Sequence, residues 1–178
     1  MENGEFQIHS AYDHKALKTM SRVLRKTMRR KRSIALRIFG WFAVSLMALA
    51  EIALAALDAF SWDVETALIL LLCAVMVATL LFEDDLNAWI AAFSLIPGTR
   101  EADTRFTPEN YVTTTQAAET RWNYEGIKAI GETNDSFVLM LSKRHTQQFP
   151  KAGITSGTPD EFREFLTEKT GLPVRYVK

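Results

Sequence analysis

Side chains able to do acid–base, nucleophilic or metal chemistry are few and dispersed along these 178 residues. The three histidines, His9, His14 and His145, are scattered, with no cysteine or carboxylate set among them in a metal-ligand pattern. A metal centre needs three or four such ligands converging at close spacing, so none is expected. Cys73 is the lone cysteine and lies inside an apolar run, where a thiol serves as a small packing group. No Gly-rich phosphate loop and no serine in a nucleophile elbow occurs. The expectation is no metal, no cofactor and no enzymatic activity.

One carboxylate stands out by its surroundings. Glu51 is one of two charged residues, with Arg37, in the apolar run Ser33–Leu57. An acid within a membrane span is by default a candidate for transport or proton relay. The alternative is an acid whose depth lets it reach water at the interface, as Arg37 can by snorkelling from the other end. Both readings stay open for Glu51.

The strongest charge feature is "RVLRKTMRRKR" at residues 22–32, which holds Arg22, Arg25, Lys26, Arg29, Arg30, Lys31 and Arg32. The whole chain has zero formal net charge, yet residues 1–32 carry +6. Charge of one sign at one end marks location rather than a polyanion-binding surface. No aromatic residue is interleaved for base stacking, so nucleic acid is excluded as a partner. The run is read as a basic collar at the inner face of a membrane, attracted by anionic lipid headgroups. A second cluster, Glu83, Asp84 and Asp85, follows the next apolar run and is expected near Arg29–Arg32, either paired with them or solvated.

Two apolar runs must position these charges. Ser33–Leu57 has 25 residues, and as a helix it extends roughly 37 Å, longer than a hydrocarbon core of about 30 Å. Thr66–Phe82 carries no charge at all, with Phe60 and Trp62 as candidate interfacial anchors. Two transmembrane helices joined by "DAFSWDVE" are predicted. The joining loop contains Asp58, Asp63 and Glu65 and no base, so the positive-inside rule puts both termini in the cytoplasm. A basic helix is expected to run from about Asp13 continuously into the first span. An amphipathic helix through Leu86, Trp89, Ile90, Phe93 and Ile96 is expected to end at Pro97-Gly98.

Beyond residue 99 the composition changes to short runs rich in Thr, Val, Tyr, Trp and Phe. Strands are predicted near 104–107, 110–116, 119–124, 127–132, 136–142 and 145–149. In "SFVLMLS" both faces carry apolar residues, so both are expected to be covered. Thr158-Pro159-Asp160-Glu161 combines a capping box with proline at the first helical position, and Gly171 with Pro173 ends the helix. "EFQIH" alternates Phe6 and Ile8 with polar neighbours and is expected to add an edge strand from the N-terminus. The expected fold is a two-helix membrane hairpin plus a small α+β domain, an antiparallel sheet of about five to seven strands with one C-terminal helix. Its parts are residues 1–10 as the added strand, 11–98 as the membrane module and 99–178 as the cytoplasmic domain.

The stretch "WNYEGIKAIGETNDSFVLMLSKRHTQQFPKAGI" followed by "TPDEFREFLTEK" resembles the YcxB-like family of bacterial membrane proteins. The resemblance rests on Trp122, Ile127, Ile130, Glu132–Thr133, Phe137–Leu141, Ser142-Lys143, Pro150-Lys151 and the Glu161–Leu166 helix. It implies a C-terminal domain of pleckstrin-homology-like (PH-like) type in a multi-pass protein of the bacterial inner membrane, and it brings no catalytic residue. The leading functional expectation is a β domain that binds or regulates a protein partner at the membrane face. The alternative is a homo-oligomeric channel or transporter subunit built around Glu51.

Overall fold

A computed structural model of the chain describes residues 5–57 and 61–178. Asp58 and Phe60, assigned above to the outer loop, lie outside the described residues. The chain divides into two compact units, one made of residues up to Arg29 together with Asn87–Lys178, the other of Arg30–Leu86.

In the first unit, β1 (Phe6–Ala11), β2 (Glu101–Phe106), β3 (Tyr111–Thr114) and β4 (Glu119–Trp122) form one sheet in that order, every pair antiparallel. Strand β1 pairs with β2 from Phe6↔Phe106 to Ala11↔Glu101. The backbone N–H of Tyr12 donates to Arg100 O at 2.7 Å, extending the pairing by one rung. Residues 12–100 are thus an insertion between two neighbouring strands. A second sheet has the order β7-β6-β5-β8, from β5 (Ala129–Glu132), β6 (Ser136–Met140), β7 (Thr146–Pro150) and β8 (Val174–Tyr176).

This corrects the expectation of one antiparallel sheet. The chain leaves β4 through a single 3-10 turn at Tyr124–Gly126, and no strand of the meander that follows joins the first sheet. Strand β8 runs parallel to β5, with Ile130↔Val174 in register. A parallel neighbour needs a crossover, and helix α5 (Pro159–Thr170) supplies it.

Between the sheets and α5 lies an aromatic core. Phe162 of α5 meets Phe106 at 4.9 Å, Phe6 at 5.2 Å and Phe137 at 5.3 Å between ring centroids. Ile8, Ile130, Leu139, Phe149 and Leu166 fill the space around them. The capping box at Thr158 and the left-handed Gly171 delimit α5 at the two ends.

The opposite face of the second sheet is covered by α1 (His14–Lys26), capped by Asp13 accepting from Ala16 N at 2.7 Å. Val23 and Leu24 pack on Val138, Met140 and Val177, which is why all five residues of β6 are buried. Close approach here requires Gly131, because a Cβ at that position would overlap the Val23 side chain.

Helix α1 does not run on into the apolar helix. It stops at Thr27, whose φ of −109° and ψ of −86° leave the helical region. Thr27 Oγ1 donates back to Val23 O at 2.5 Å, and Arg29 N reaches Leu24 O at 3.0 Å, a wider turn than the α-helical one.

In the second unit, α2 (Arg30–Ala56) and α3 (Val64–Leu81) are long and apolar enough to cross a membrane. They are antiparallel: Arg37 meets Glu83, Gly40 faces Leu80, and Met47 Sδ accepts from Cys73 Sγ at 3.9 Å. One index rises by ten while the other falls by ten. Gly40 allows the approach, because a Cβ there would sit 2.8 Å from Leu80 Cδ2. Helix α4 (Glu83–Phe93) follows and ends before the expected Pro97, with Ser94 Oγ donating to Ile90 O at 3.1 Å.

Candidate functional site

A dense charge constellation centres on Glu132, the last residue of β5, whose side chain is only 7% exposed. Arg163, on the first turns of α5, donates Nε to Oε2 at 2.6 Å and Nη2 to Oε1 at 2.7 Å. Lys151 donates Nζ to Oε1 at 2.5 Å, and its ammonium stands 5.1 Å from the centroid of the Phe137 ring. Arg163 Nη1 also reaches Asp160 Oδ1 at 2.6 Å. Two acids and two bases therefore close on themselves.

Hydrogen bonding from Arg163 holds the Glu132 carboxyl below the usual carboxylate range, against the opposing effect of burial. Glu132 in turn raises the Arg163 guanidinium further above its ordinary value. A carboxylate pinned by two cations is a poor general base, and this arrangement ties β5 to α5 and to the turn after β7. It is a clamp.

A second feature lies on the outward face of the first sheet. Because side chains alternate along a strand, Gln7 and His9 of β1 share this face with Asp103 and Arg105 of β2 and with Thr114 and Glu119 beyond. These residues line a groove of about 460 Å³. His9 Nδ1 and Asp103 Oδ1 are 2.8 Å apart, and Arg105 Nη2 donates to Glu5 Oε2 at 2.8 Å. Strand β4 forms one edge of the sheet, with three of its four residues exposed. At the other edge, Thr155 N donates to Gln7 O at 2.9 Å and Ile8 bridges Ile154. At the end of β4, Trp122 stacks on Tyr111 and meets His145 at a tilt of 32°, and its Nε1 is enclosed with no hydrogen-bond partner among the described residues.

The basic collar is divided by the helix break. Arg22, Arg25 and Lys26 belong to α1, Arg29 to the turn, and Arg30, Lys31 and Arg32 to the first turn of α2. Lys26 Nζ donates to Lys178 O at 2.5 Å, and Arg29 donates to Lys143 O. Glu83, Asp84 and Asp85 form the first turn of α4, where acids favour the positive end of the helix dipole. Glu83 Oε2 accepts from Arg37 Nε at 3.3 Å, so the residue expected to snorkel alone has a carboxylate beside it.

Glu51 lies five residues before the end of α2, and its Oε2 is enclosed without a hydrogen-bond partner among the described residues. The helix register that pairs Met47 with Cys73 brings Ile69 level with it. Among the described residues no group of three His, Cys, Asp or Glu is placed to hold a metal.

Residues 106–166 match the family model described as YcxB-like protein. The match contains Glu132, Lys151, Asp160 and Arg163, the whole of the clamp. No curated protein and no solved structure matches the chain.

Proposed function

We propose that the chain is a non-enzymatic, two-span inner-membrane protein of YcxB-like type, whose β domain faces the cytoplasm and binds a polypeptide partner. Helices α2 and α3 leave Ile38, Phe39, Phe42 and Leu49 more than half exposed, together with many others around both circumferences. Such a surface is untenable in water and suits lipid. The bases Arg30, Lys31 and Arg32 at one end of α2 and the acids Asp63 and Glu65 at the start of α3 support that orientation. A four-strand meander, a three-strand meander and a C-terminal helix across the core support a PH-like domain, interrupted after its first strand by the membrane hairpin.

The observation that carries the binding role is the junction of β1 and β2. The whole insertion leaves and re-enters the domain at paired strands, so a peptide that extends the sheet along β4 acts on the same sheet that holds both ends of the hairpin. Affinity capture with the detergent-solubilised full chain tests this role. A partner retained by the native chain and lost when Glu119 is replaced by proline, which removes an edge-facing backbone donor from β4 and leaves its pairing with β3 intact, supports it. Capture indifferent to that change contradicts it.

A second reading is favoured by one observation, the enclosed and unpartnered Oε2 of Glu51. A channel or transporter would use it at a helix–helix contact between copies, since two spans alone enclose no pathway. A monomeric mass in detergent counts against that reading.

A further inference from the structure

Where α1 breaks, a cleft of about 200 Å³ opens on the α1-covered face of the second sheet. Its wall is the break itself, Thr27 and Met28. Its floor is Ala129 of β5 with Leu172 and Pro173, which follow the left-handed Gly171 at the end of α5. Two cations stand at its rim, Lys128 and Arg175, and among the described residues no Asp or Glu lines it. The register explains why they converge. Arg175 is paired with Gly131, so both belong to the face that carries Ala129 and receives α1. Lys128 precedes β5 on the same stretch, and its Nζ rests 3.3 Å from Glu125 O, held by a neutral carbonyl.

We propose that this cleft binds the phosphate headgroup of an anionic phospholipid, a role that rests on the membrane reading above. Three observations converge on that ligand. The two cations oppose no acid among the residues that line the cleft, although residues 99–178 balance eleven acids against eleven bases. The apolar lining of Met28, Leu172 and Pro173 suits the glycerol and first methylenes of a lipid better than a free inorganic anion. Met28 is two residues before the first residue of α2, so the cleft is built by the segment that leads into the span. Lys128 and Arg175 would contact the phosphate, while the Thr27 hydroxyl stays committed to Val23 O.

The test uses the full chain in a neutral detergent, titrated with short-chain phosphatidylglycerol, short-chain phosphatidylcholine or inorganic phosphate, with the thermal midpoint of the β domain as readout. Phosphatidylglycerol is expected to raise the midpoint at concentrations where the other two do not. The double variant K128Q/R175Q should shift half-saturation at least roughly tenfold upward. The charge-keeping variant K128R/R175K should respond as the native chain does, and R121Q on the other sheet should change nothing. An equal response to phosphatidylcholine, an equal response to inorganic phosphate, or an unchanged response in K128Q/R175Q would each overturn the proposal. None of these outcomes depends on which way the hairpin crosses the membrane, so failure here is separable from failure of the topology.

Discussion

Glu132 and Arg163 stand 31 residues apart in the chain and meet through two parallel hydrogen bonds, at 2.6 and 2.7 Å. The fork geometry of a guanidinium on a carboxylate fixes orientation as well as distance, so this pair sets how α5 lies against β5. Lys151 completes the site from the turn after β7.

Replacing Glu132 with glutamine should destabilise the β domain by roughly 2–4 kcal/mol, because two cations lose the carboxylate that neutralises them. The pH dependence has a definite sign. The folded-state pKa of Glu132 is depressed, so its contribution is full above the unfolded carboxylate value of about 4.3 and disappears as pH falls through the folded value. Denaturant titrations of native and E132Q chains should therefore converge in acid and diverge near neutrality. A constant difference across that range would show that the clamp is not what the mutation removes.

Gly131 and Val23 should be energetically coupled. Gly131→Ala forces a methyl into the Val23 side chain, and overpacking of this kind costs about 1–3 kcal/mol. Combining it with Val23→Ala should recover part of that loss, giving a coupling of at least about 0.5 kcal/mol in a double-mutant cycle. Strictly additive losses would mean that α1 does not rest on β5 at this point.

Phe6 and Ile8 belong to the core between the sheets rather than to a tail. Phe6→Ala should lower stability by about 3–5 kcal/mol, and Phe6→Asp with Ile8→Asp should abolish cooperative folding of the domain. Hydrogen exchange in β2 and β3 would report the change. Protection there that is indifferent to both variants would contradict the pairing of β1 with β2.

How much of this was readable in the chain depends on the range of the interactions involved. Local signals read well. The alternation of Phe6 with Ile8, the apolar runs on either side of residue 60, and the Thr158–Glu161 capping box each announce an element within a few residues. The apolar character of both faces of "SFVLMLS" also anticipated that β6 is covered twice. Non-local choices read poorly. Nothing near Asn123 says that the next meander will start a new sheet, and three residues after Pro173 are too short to reveal a parallel strand. The stop of α1 at Thr27 involves no proline or glycine, so no local breaker announces it. The clamp escaped for the same reason, since Glu132, Lys151 and Arg163 look like any surface charges until the fold brings them together.

The central claim is a hairpin of two membrane spans inserted into a cytoplasmic β domain, and a pair of reporter fusions tests it most directly. An enzyme active only outside the cytoplasm, placed after Lys178 or inserted next to Ser61, should be silent in the first position and active in the second. Activity of the fusion after Lys178 would contradict the orientation, and silence at both positions would contradict the crossing itself.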